Sequence, residues 1–274
     1  MHDISRRAAL GGLAALGLAN GAQARTIEAV RTAADDGEVA ARRYAAAGAG
    51  KCPAVLALHG TGGFELNPEG YARYADALAA AGIDAWLVRY YTAADAQALD
   101  LKTSTRESRG AYNAGRFAGW SRRVSAVVSA ALARPDSTGR IGLLGFSLGG
   151  FIAAQAANDD ARVAALAVLY AGMPDATVAL VKRLPPVLEL HGDADRTVPP
   201  AKGAELVRLA RAAGAPAEQV TYPGRGHGFD LSGNDPMRPP MRSRASCGSS
   251  GLTSWQPDSA NKPWFETPRL RPAG

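Results

Sequence analysis

Residues 141–150 read Ile-Gly-Leu-Leu-Gly-Phe-Ser-Leu-Gly-Gly. An apolar run leads directly into the pattern Gly-x-Ser-x-Gly, and a helical stretch, 148–157, follows at once. A strand that turns this sharply into a helix strains its central residue, and flanking glycines remove the Cβ atoms that would collide. The pattern predicts a nucleophile elbow that lifts the Ser147 hydroxyl clear of a sheet. Because Gly-x-Ser-x-Gly is a modest signal by itself, a glycine-rich turn with an idle serine is the alternative.

The rest of the chain alternates apolar runs with helical stretches. Apolar runs occur at 54–58, 85–88, 141–144, 166–169 and 187–190, and helical stretches at 69–81, 122–133, 148–157 and 201–213. Strands that are apolar throughout are buried on both faces, which is typical of a parallel sheet. Two alternating segments, 27–30 and 39–44, flank an Asp-Asp-Gly turn and predict a hairpin. The sequence therefore predicts an α/β domain over residues 25–231, with a mostly parallel central sheet and helices on both faces.

Two later loops carry the partners that a nucleophilic serine needs, namely a base and an acid that orients the base. Asp193 and Asp195 follow one apolar strand, and His227 follows a later one. Loops at the carboxyl ends of the strands are where open α/β sheets build their sites. Ser147, Asp195 and His227 are therefore the predicted catalytic residues. Asp193 is the alternative orienting acid, although the spacing Gly-x-x-Asp-x-x-Val favours Asp195.

Two backbone N–H groups are predicted to bind the oxyanion that forms in acyl transfer. One belongs to Leu148, at the start of the helix that follows the elbow. The other belongs to Thr61, in the loop 59–63, whose glycines let the backbone approach a substrate carbonyl closely. A tight loop that only reverses the chain is the alternative for this segment. His59 and His191 each precede a glycine after a strand and are interpreted as structural.

Several motifs together are similar to those of the dienelactone hydrolase family of α/β-hydrolases. They are Leu58–Gly63, Tyr74–Gly82, the serine elbow, the Asp195 loop and Gly226–Phe229, within a resemblance that covers residues 27–231. The resemblance implies the α/β-hydrolase fold and hydrolysis of a small-molecule ester or lactone, with no cofactor and no metal.

The nucleophile departs from the pattern of the family, because dienelactone hydrolases carry cysteine where this chain carries Ser147. This difference leaves the dienelactone substrate open, and serine-bearing relatives resemble general carboxylesterases. Family members also activate their thiol through a glutamate beside the oxyanion loop. Glu65 is near that loop but not at the matching position, and it stays unassigned.

The leading functional hypothesis is an exported serine hydrolase that cleaves ester or lactone bonds through an acyl-enzyme intermediate. A peptidase or amidase shares the same triad and differs in its pocket. A non-catalytic hydrolase fold that binds a carbohydrate or another ligand is the third hypothesis, because a fold does not fix a function.

The first 24 residues predict a secretory signal peptide. Ser5-Arg6-Arg7 precedes a Gly/Ala/Leu run, and Ala22-Gln23-Ala24 supplies small residues for cleavage. The adjacent arginines and the mild hydrophobicity resemble a twin-arginine signal, although ordinary export of an unfolded chain is the alternative. The apolar run is shorter than the roughly 18 to 20 residues that cross a bilayer, so a permanent membrane anchor is not expected. The mature protein is predicted to be periplasmic or secreted.

Composition argues against nucleic acid as a partner. The 274 residues carry a net charge of +6, but between residues 25 and 231 the chain has 23 basic against 21 acidic side chains. No basic block with interleaved aromatics occurs there, so an electrostatic footprint for phosphates is missing. Cys52 and Cys247 fit neither a disulfide framework nor a metal-ligand spacing, and are interpreted as incidental thiols.

The polar segment 92–120 has two interpretations. It is either a lid or substrate loop over the site, or a plain connecting helix. Arg106, Arg109 and Arg116 in this segment are candidates for binding a substrate carboxylate, with solvated arginines as the simpler interpretation.

The last segment, 232–274, is atypical for the family and has two interpretations. After Leu231 the chain becomes rich in Ser, Pro, Arg and Trp without periodicity, where family members end in a helix packed on the sheet. A reading-frame shift near Pro236 would explain the change, because a shifted frame can restore a helical apolar period. A disordered tail is the alternative.

Overall fold

The computed structural model describes residues 26–232 and, further on, the backbone of two short strands. The strands are β1 Ile27–Ala34, β2 Gly37–Tyr44, β3 Cys52–Leu58, β4 Asp84–Arg89, β5 Ser137–Phe146, β6 Val163–Leu169, β7 Val187–Gly192, β8 Ala217–Tyr222, β9 Met241–Ser243 and β10 Trp255–Pro257. The helices are α1 Pro68–Ala80, α2 Ala93–Ala98, α3 Arg106–Leu132, α4 Leu148–Asp159, α5 Asp175–Val178 and α6 Pro200–Ala212, with a 3₁₀ turn at Phe64–Leu66.

Eight strands form one sheet in the order β1-β2-β4-β3-β5-β6-β7-β8. The pairs β1–β2 and β2–β4 are antiparallel, and the pairs from β4 through β3 to β8 are parallel. The predicted hairpin is present, with Ala34 paired to Gly37 across the turn. This sheet confirms the predicted α/β-hydrolase fold.

Helices pack on both faces of the sheet, as the apolar strands require. On one face the buried core joins Trp120 of α3, Ile152 of α4 and Leu206 of α6. On the other face α1 packs through residues such as Leu78, and Phe229 and Leu231 join the same cluster. Toward the β7–β8 edge this second face is only partly covered, and Leu188, Val220 and Tyr222 are half-buried.

The segment 92–120 is helical and not an open loop. Helix α2 and the first half of α3 fill most of it, and each begins with a capping box, at Thr92 and Thr105. Helix α3 therefore starts 16 residues before the helical stretch predicted from Arg122. Its first half is largely exposed, so it lacks the apolar period that identifies a helix in sequence.

The predictions for the two terminal segments concern residues that lie largely outside the described part of the chain. The signal peptide predicted at 1–24 lies there entirely. Of the segment 232–274, the structure describes Ser232 and the antiparallel pair β9–β10. The frame-shift and disordered-tail interpretations of that segment stay predictions. Within the described residues, no helix combines the length and apolarity that spanning a bilayer requires.

Candidate active site

The serine elbow forms at the junction of β5 and α4. Ser147 adopts φ 51° and ψ −121°, a left-handed conformation that few non-glycine residues accept. Glycines are required on both sides. A Cβ at Gly145 would lie 2.4 Å from the Gly149 carbonyl oxygen, and a Cβ at Gly149 would lie 2.3 Å from the carbonyl oxygen of Leu58 on β3. The elbow geometry therefore follows from close contact between the turn, its helix and the neighbouring strand.

A chain of hydrogen bonds joins Ser147 to His227 and Asp195. The distance between His227 Nε2 and Ser147 Oγ is 2.8 Å, and that between His227 Nδ1 and Asp195 Oδ2 is also 2.8 Å. The carboxylate accepts, so Nδ1 carries a hydrogen and Nε2 is left to accept from the serine hydroxyl. The structure thus brings together the three side chains that the sequence predicts as catalytic, from three loops at the carboxyl ends of the strands.

Asp195 is fixed by four contacts and not by the histidine alone. Its Oδ1 accepts the backbone N–H groups of Thr197 at 2.8 Å and Val198 at 2.9 Å. Its Oδ2 faces His227 and also the ring of His191, whose Nε2 lies 3.3 Å away. The alternative acid, Asp193, is exposed and accepts the N–H of Gly224 at 2.6 Å. Asp193 therefore ties together the loops that carry Asp195 and His227, and does not contact the imidazole.

The loop 59–63 is held by three tyrosines. Tyr90 donates to the His59 carbonyl at 2.6 Å, and Tyr91 donates to the Thr61 carbonyl at 3.2 Å. The Gly60 N–H donates to the Tyr71 hydroxyl at 3.1 Å. We call these three side chains the tyrosine clamp. The clamp fixes the backbone of this loop against Ser147, since a Cβ at Gly60 would lie 3.4 Å from the Cβ of the serine.

His59 sets the direction of the peptide that carries the Thr61 N–H. Burial lowers the pKa of His59 to about 4, so the ring is neutral at neutral pH. Its Nδ1 lies 2.8 Å from the Gly60 carbonyl oxygen, which can only accept, so Nδ1 carries the hydrogen. The same carbonyl accepts the Gly63 N–H at 3.0 Å. Because the peptide is trans, these bonds direct the Thr61 N–H to the opposite side.

Leu148 is the other predicted oxyanion donor. It is the first residue of α4, so its N–H lies outside the hydrogen-bond ladder of that helix. The side chain of Leu148 is buried, and its backbone N–H directly follows Ser147 at the N-terminus of α4. The positive end of the helix dipole adds to the attraction for a developing anion.

A cavity of about 690 Å³ opens beside the loop 59–63. Thr61 and Tyr91 form one side, and residues of α2 and the following turn form another. Glu65 and Arg89 line this cavity and form an ion pair at 2.5 Å. Burial alone would raise the pKa of Glu65, but the hydrogen bond from Arg89 brings this pKa below its ordinary value. Leu66 and Leu101 are exposed at its rim. The segment 92–120 thus contributes to this cavity, although it is built of helices.

The three arginines of that segment bind the protein itself. Arg116 holds the fully buried Asp95 at 2.7 Å, Arg109 donates to the Ser104 carbonyl at 2.8 Å, and Arg106 donates to the Thr197 carbonyl at 2.9 Å. Burial would raise the pKa of Asp95, but bonds from Arg116 and from neighbouring donors hold it well below the ordinary value. These contacts favour structural roles for the arginines over binding of a substrate carboxylate.

Two features of the site have little signal in the sequence. Tyr170, at φ 43°, places its ring edge-on to His227 with the ring centres 4.7 Å apart. His191 and Glu189 are fully buried behind Asp195 and are bonded to each other at 2.6 Å. The glutamate interrupts an otherwise apolar strand, and that interruption is the one signal that could have marked it.

The described residues contain no group of three or more His, Cys, Asp or Glu side chains arranged to hold a metal ion. Cys52 is a free thiol at the start of β3. Burial and the charge of Asp84 raise the pKa of this thiol to about 11, so it is not a reactive thiolate. Cys247 lies outside the described residues.

The eight-stranded sheet, the strained serine and its hydrogen-bonded histidine define an α/β-hydrolase. The dienelactone hydrolase family model matches residues 39–263. The chain belongs to the dienelactone hydrolase family.

Solved structures show the same fold at low sequence identity. A dienelactone hydrolase from Anabaena variabilis is 22% identical with a TM-score of 0.59, covering 74% of this chain and 88% of that one. The dienelactone hydrolase-like promiscuous phosphotriesterase P91 from metagenomic libraries is 19% identical with a TM-score of 0.60, covering 77% and 87%. An esterase from Pyrobaculum calidifontis is 18% identical with a TM-score of 0.54, covering 75% and 78%. A search of the curated proteins finds no match for the sequence.

Proposed function

We propose that this member of a hydrolase family cleaves ester or lactone bonds of small molecules with Ser147 as nucleophile, His227 as general base and Asp195 as orienting acid. The observation that carries the proposal is the unbroken hydrogen-bond chain from Ser147 Oγ through the imidazole to Asp195, at 2.8 Å for each step. These distances lie within the range in which a base can take a proton from a nucleophile.

The proposed reaction has two halves. His227 Nε2 takes the hydroxyl proton of Ser147 as Oγ attacks the carbonyl carbon, and the N–H groups of Leu148 and Thr61 bind the resulting oxyanion. The imidazolium then protonates the leaving alcohol, which departs and leaves an acyl-serine. Water attacks this acyl group in the second half, with His227 again as base, and the acid is released. Asp195 holds the tautomer of the ring throughout.

Labelling with a fluorophosphonate tests this proposal directly. We expect a single phosphonylated residue, Ser147, in peptide mapping, and turnover of short-chain p-nitrophenyl esters that Ser147→Ala lowers by about 10⁴-fold or more. The elbow adopts a conformation that alanine tolerates no better than serine, so a thermal melt of both proteins is the control for folding. An unlabelled Ser147 in a folded protein would overturn the proposal and favour the ligand-binding alternative.

The choice between ester and amide needs its own comparison. A p-nitrophenyl ester and the p-nitroanilide with the same acyl group present the same pocket contacts and differ in the leaving group. We expect ester turnover to dominate. Faster anilide turnover would favour the peptidase or amidase alternative.

We also propose that the protein is exported, on the basis of the leader features at residues 1–24. Expression of the full chain in a bacterium should yield a periplasmic or secreted protein whose amino terminus is close to Arg25. Replacing Arg6 and Arg7 by lysine distinguishes the routes, because a twin-arginine route requires the arginine pair. A cytoplasmic, uncleaved product would contradict the proposal.

A further inference from the structure

Behind the proposed triad lies a second pair of ionisable side chains that the reaction does not use. Glu189 and His191 both lie on β7 and are fully buried. His191 Nδ1 is 2.6 Å from Glu189 Oε1, while His191 Nε2 is 2.9 Å from the Val198 carbonyl oxygen and 3.3 Å from Asp195 Oδ2. The His191 ring therefore touches the same carboxylate oxygen that His227 binds.

The partners of this ring fix where its hydrogens lie. The Val198 carbonyl and the Asp195 carboxylate only accept, so Nε2 must carry a hydrogen. Nδ1 faces Glu189, whose other oxygen accepts from Gln219 Nε2 at 2.8 Å. The Gln219 nitrogen is identified by its second bond, to the Pro200 carbonyl at 3.2 Å, since that oxygen too only accepts. An ionised Glu189 can accept from Gln219 on one oxygen and from Nδ1 on the other, so a ring with hydrogens on both nitrogens satisfies all of these acceptors.

The surroundings of His191 favour the charged ring, whereas burial of Glu189 works against its charge. Burial would lower the pKa of His191, but the bond and charge of Glu189, with Val198 and Asp195, raise it above the ordinary value. Burial raises the pKa of Glu189, opposed by the bonds from His191 and Gln219. Two neighbouring elements contact Glu189 through uncharged groups. Strand β8 contributes the neutral Gln219, and α6 contributes Gly203, where a Cβ would lie 2.3 Å from the Glu189 carboxyl carbon.

We propose that His191, held as an imidazolium by Glu189, is a positioning residue that fixes Asp195 behind His227 and offsets part of its negative charge. This inference rests on the proposed function of Ser147, His227 and Asp195. A neighbouring cation weakens the pull of Asp195 on a proton at His227. The charge of the pair therefore acts on the proposed base through Asp195, and the acid limb of the kcat/KM profile is the measurement that reports it.

The variant that tests the idea is Glu189→Gln, which keeps the shape of the side chain and removes its charge. His191 then has no carboxylate at Nδ1 and reverts to a neutral ring with hydrogen on Nε2. The variant thus removes the positive ring, which contacts Asp195, together with the carboxylate on the far side of that ring, and the two losses offset each other only in part. We expect the acid limb of the kcat/KM profile to move to higher pH by up to about one unit, because the lost carboxylate offsets part of the effect of the lost cation.

Glu205→Gln is the matched control, since it removes a carboxylate of α6 that pairs with Lys202 and Arg208 on the same helix. Its acid limb should coincide with that of the unsubstituted protein. If Glu189→Gln lowers kcat or thermal stability but leaves the acid limb where the control has it, the pair is merely structural and the proposal fails.

A second measurement needs no variant. In a nitrogen-15 spectrum of the histidine rings at about pH 8, well above the ordinary histidine pKa of about 6.5, His191 should show two protonated nitrogens. A single protonated nitrogen would overturn the proposal. Fluorophosphonate labelling of Ser147 keeps the two failures apart: without labelling the proposed function fails, whereas with labelling and a neutral His191 this inference alone fails.

Discussion

At the scale of single residues, Asp193 and Asp195 are two positions apart and have different surroundings. Asp195 is buried against two imidazoles, while Asp193 is exposed and binds a backbone N–H. We expect Asp195→Asn to lower kcat by about 10⁴-fold, because an amide can donate to Nδ1 and stabilise the wrong tautomer. Asp193→Asn should change kcat by less than about tenfold, since asparagine still accepts the Gly224 N–H.

Ester turnover of the two variants, measured beside their thermal melts, checks this prediction. Equal losses of kcat would contradict the prediction, because turnover would then not distinguish the two acids. A larger loss in Asp193→Asn would assign the orienting role to the exposed side chain.

The tyrosine clamp supports a second prediction. Tyr90→Phe removes the donor to the buried His59 carbonyl, and an unpaired buried acceptor costs about 1–3 kcal/mol of stability. We expect kcat/KM to fall by about ten- to a hundredfold, less than the loss of an oxyanion donor itself, because the loop is loosened but present.

Tyr112→Phe is the control for this variant. Its hydroxyl binds Asp95 at 2.9 Å and makes no contact with the loop 59–63, so it should cost stability while leaving kcat/KM nearly unchanged. Unchanged turnover in Tyr90→Phe would show that the loop keeps its geometry without this tyrosine.

A site residue can be predicted from the sequence when the residues next to it in the chain mark its role. Ser147 is marked by its glycines, and His227 and Asp195 by glycine-rich loops after apolar strands. Tyr71 and Tyr90 come from different elements and meet the loop 59–63 only in the folded chain. No spacing encodes such a contact, so the clamp could not be predicted.

At the scale of elements, the contact between α4 and β3 is set by the absence of a side chain at Gly149. A Cβ there would meet the carbonyl oxygens of Leu58 and His59 at 2.3 and 2.5 Å. We expect Gly149→Ala to push α4 away from β3, to cost roughly 1–3 kcal/mol, and to lower turnover because the same movement displaces the loop at His59.

Gly110→Ala provides the comparison within another helix. Gly110 lies on α3, and nothing lies within 4 Å of a Cβ built there, so alanine should stabilise the protein by about 0.5–1 kcal/mol. Urea unfolding of both variants measures the difference. A Gly149→Ala protein as stable and active as the parent would contradict the packing account of the elbow.

Helices and strands can be predicted where burial imposes an apolar pattern on their sequence. The apolar runs of β3 to β7 and the glycine-ended helix α1 were located to within a few residues. The first half of α3 faces solvent and is held through Arg116 and Tyr112 on the buried Asp95, so its residues are polar. The Thr92-x-x-Asp95 capping box was a usable signal for the start of α2.

At the scale of the whole molecule, paired carboxylates predict how stability depends on pH. Asp36, Glu65, Asp136 and Asp160 each have a lowered pKa, because arginine partners outweigh the effect of burial. A lowered pKa in the folded state stabilises it above the unfolded value of about 4, and this contribution is lost as the pH falls. We expect the free energy of unfolding to decline from about pH 4 downward.

Asp160 isolates one part of this decline. It joins Arg162 at 2.6 Å and Ser125 of α3, and these bonds bring its pKa to about 2 from 3.8, a difference worth on the order of 2 kcal/mol. Asp160→Asn should therefore unfold more easily at pH 7 and show a shallower decline toward pH 2. Urea unfolding at several pH values measures this, and a stability difference between parent and variant that is the same at every pH would contradict the assignment.

The residues of the proposed site follow strands that are far apart along the chain, and the last two of these strands complete the site. The proposed nucleophile Ser147 and the proposed oxyanion loop 59–63 follow β5 and β3, in the middle of the sheet, whereas Asp195 and His227 follow β7 and β8 toward its edge. A chain ending before β7 lacks both Asp195 and His227. On the proposed mechanism, turnover regained after dilution from denaturant reports when β7 and β8 have joined the sheet, and a growing chain is inactive until His227 has been synthesised.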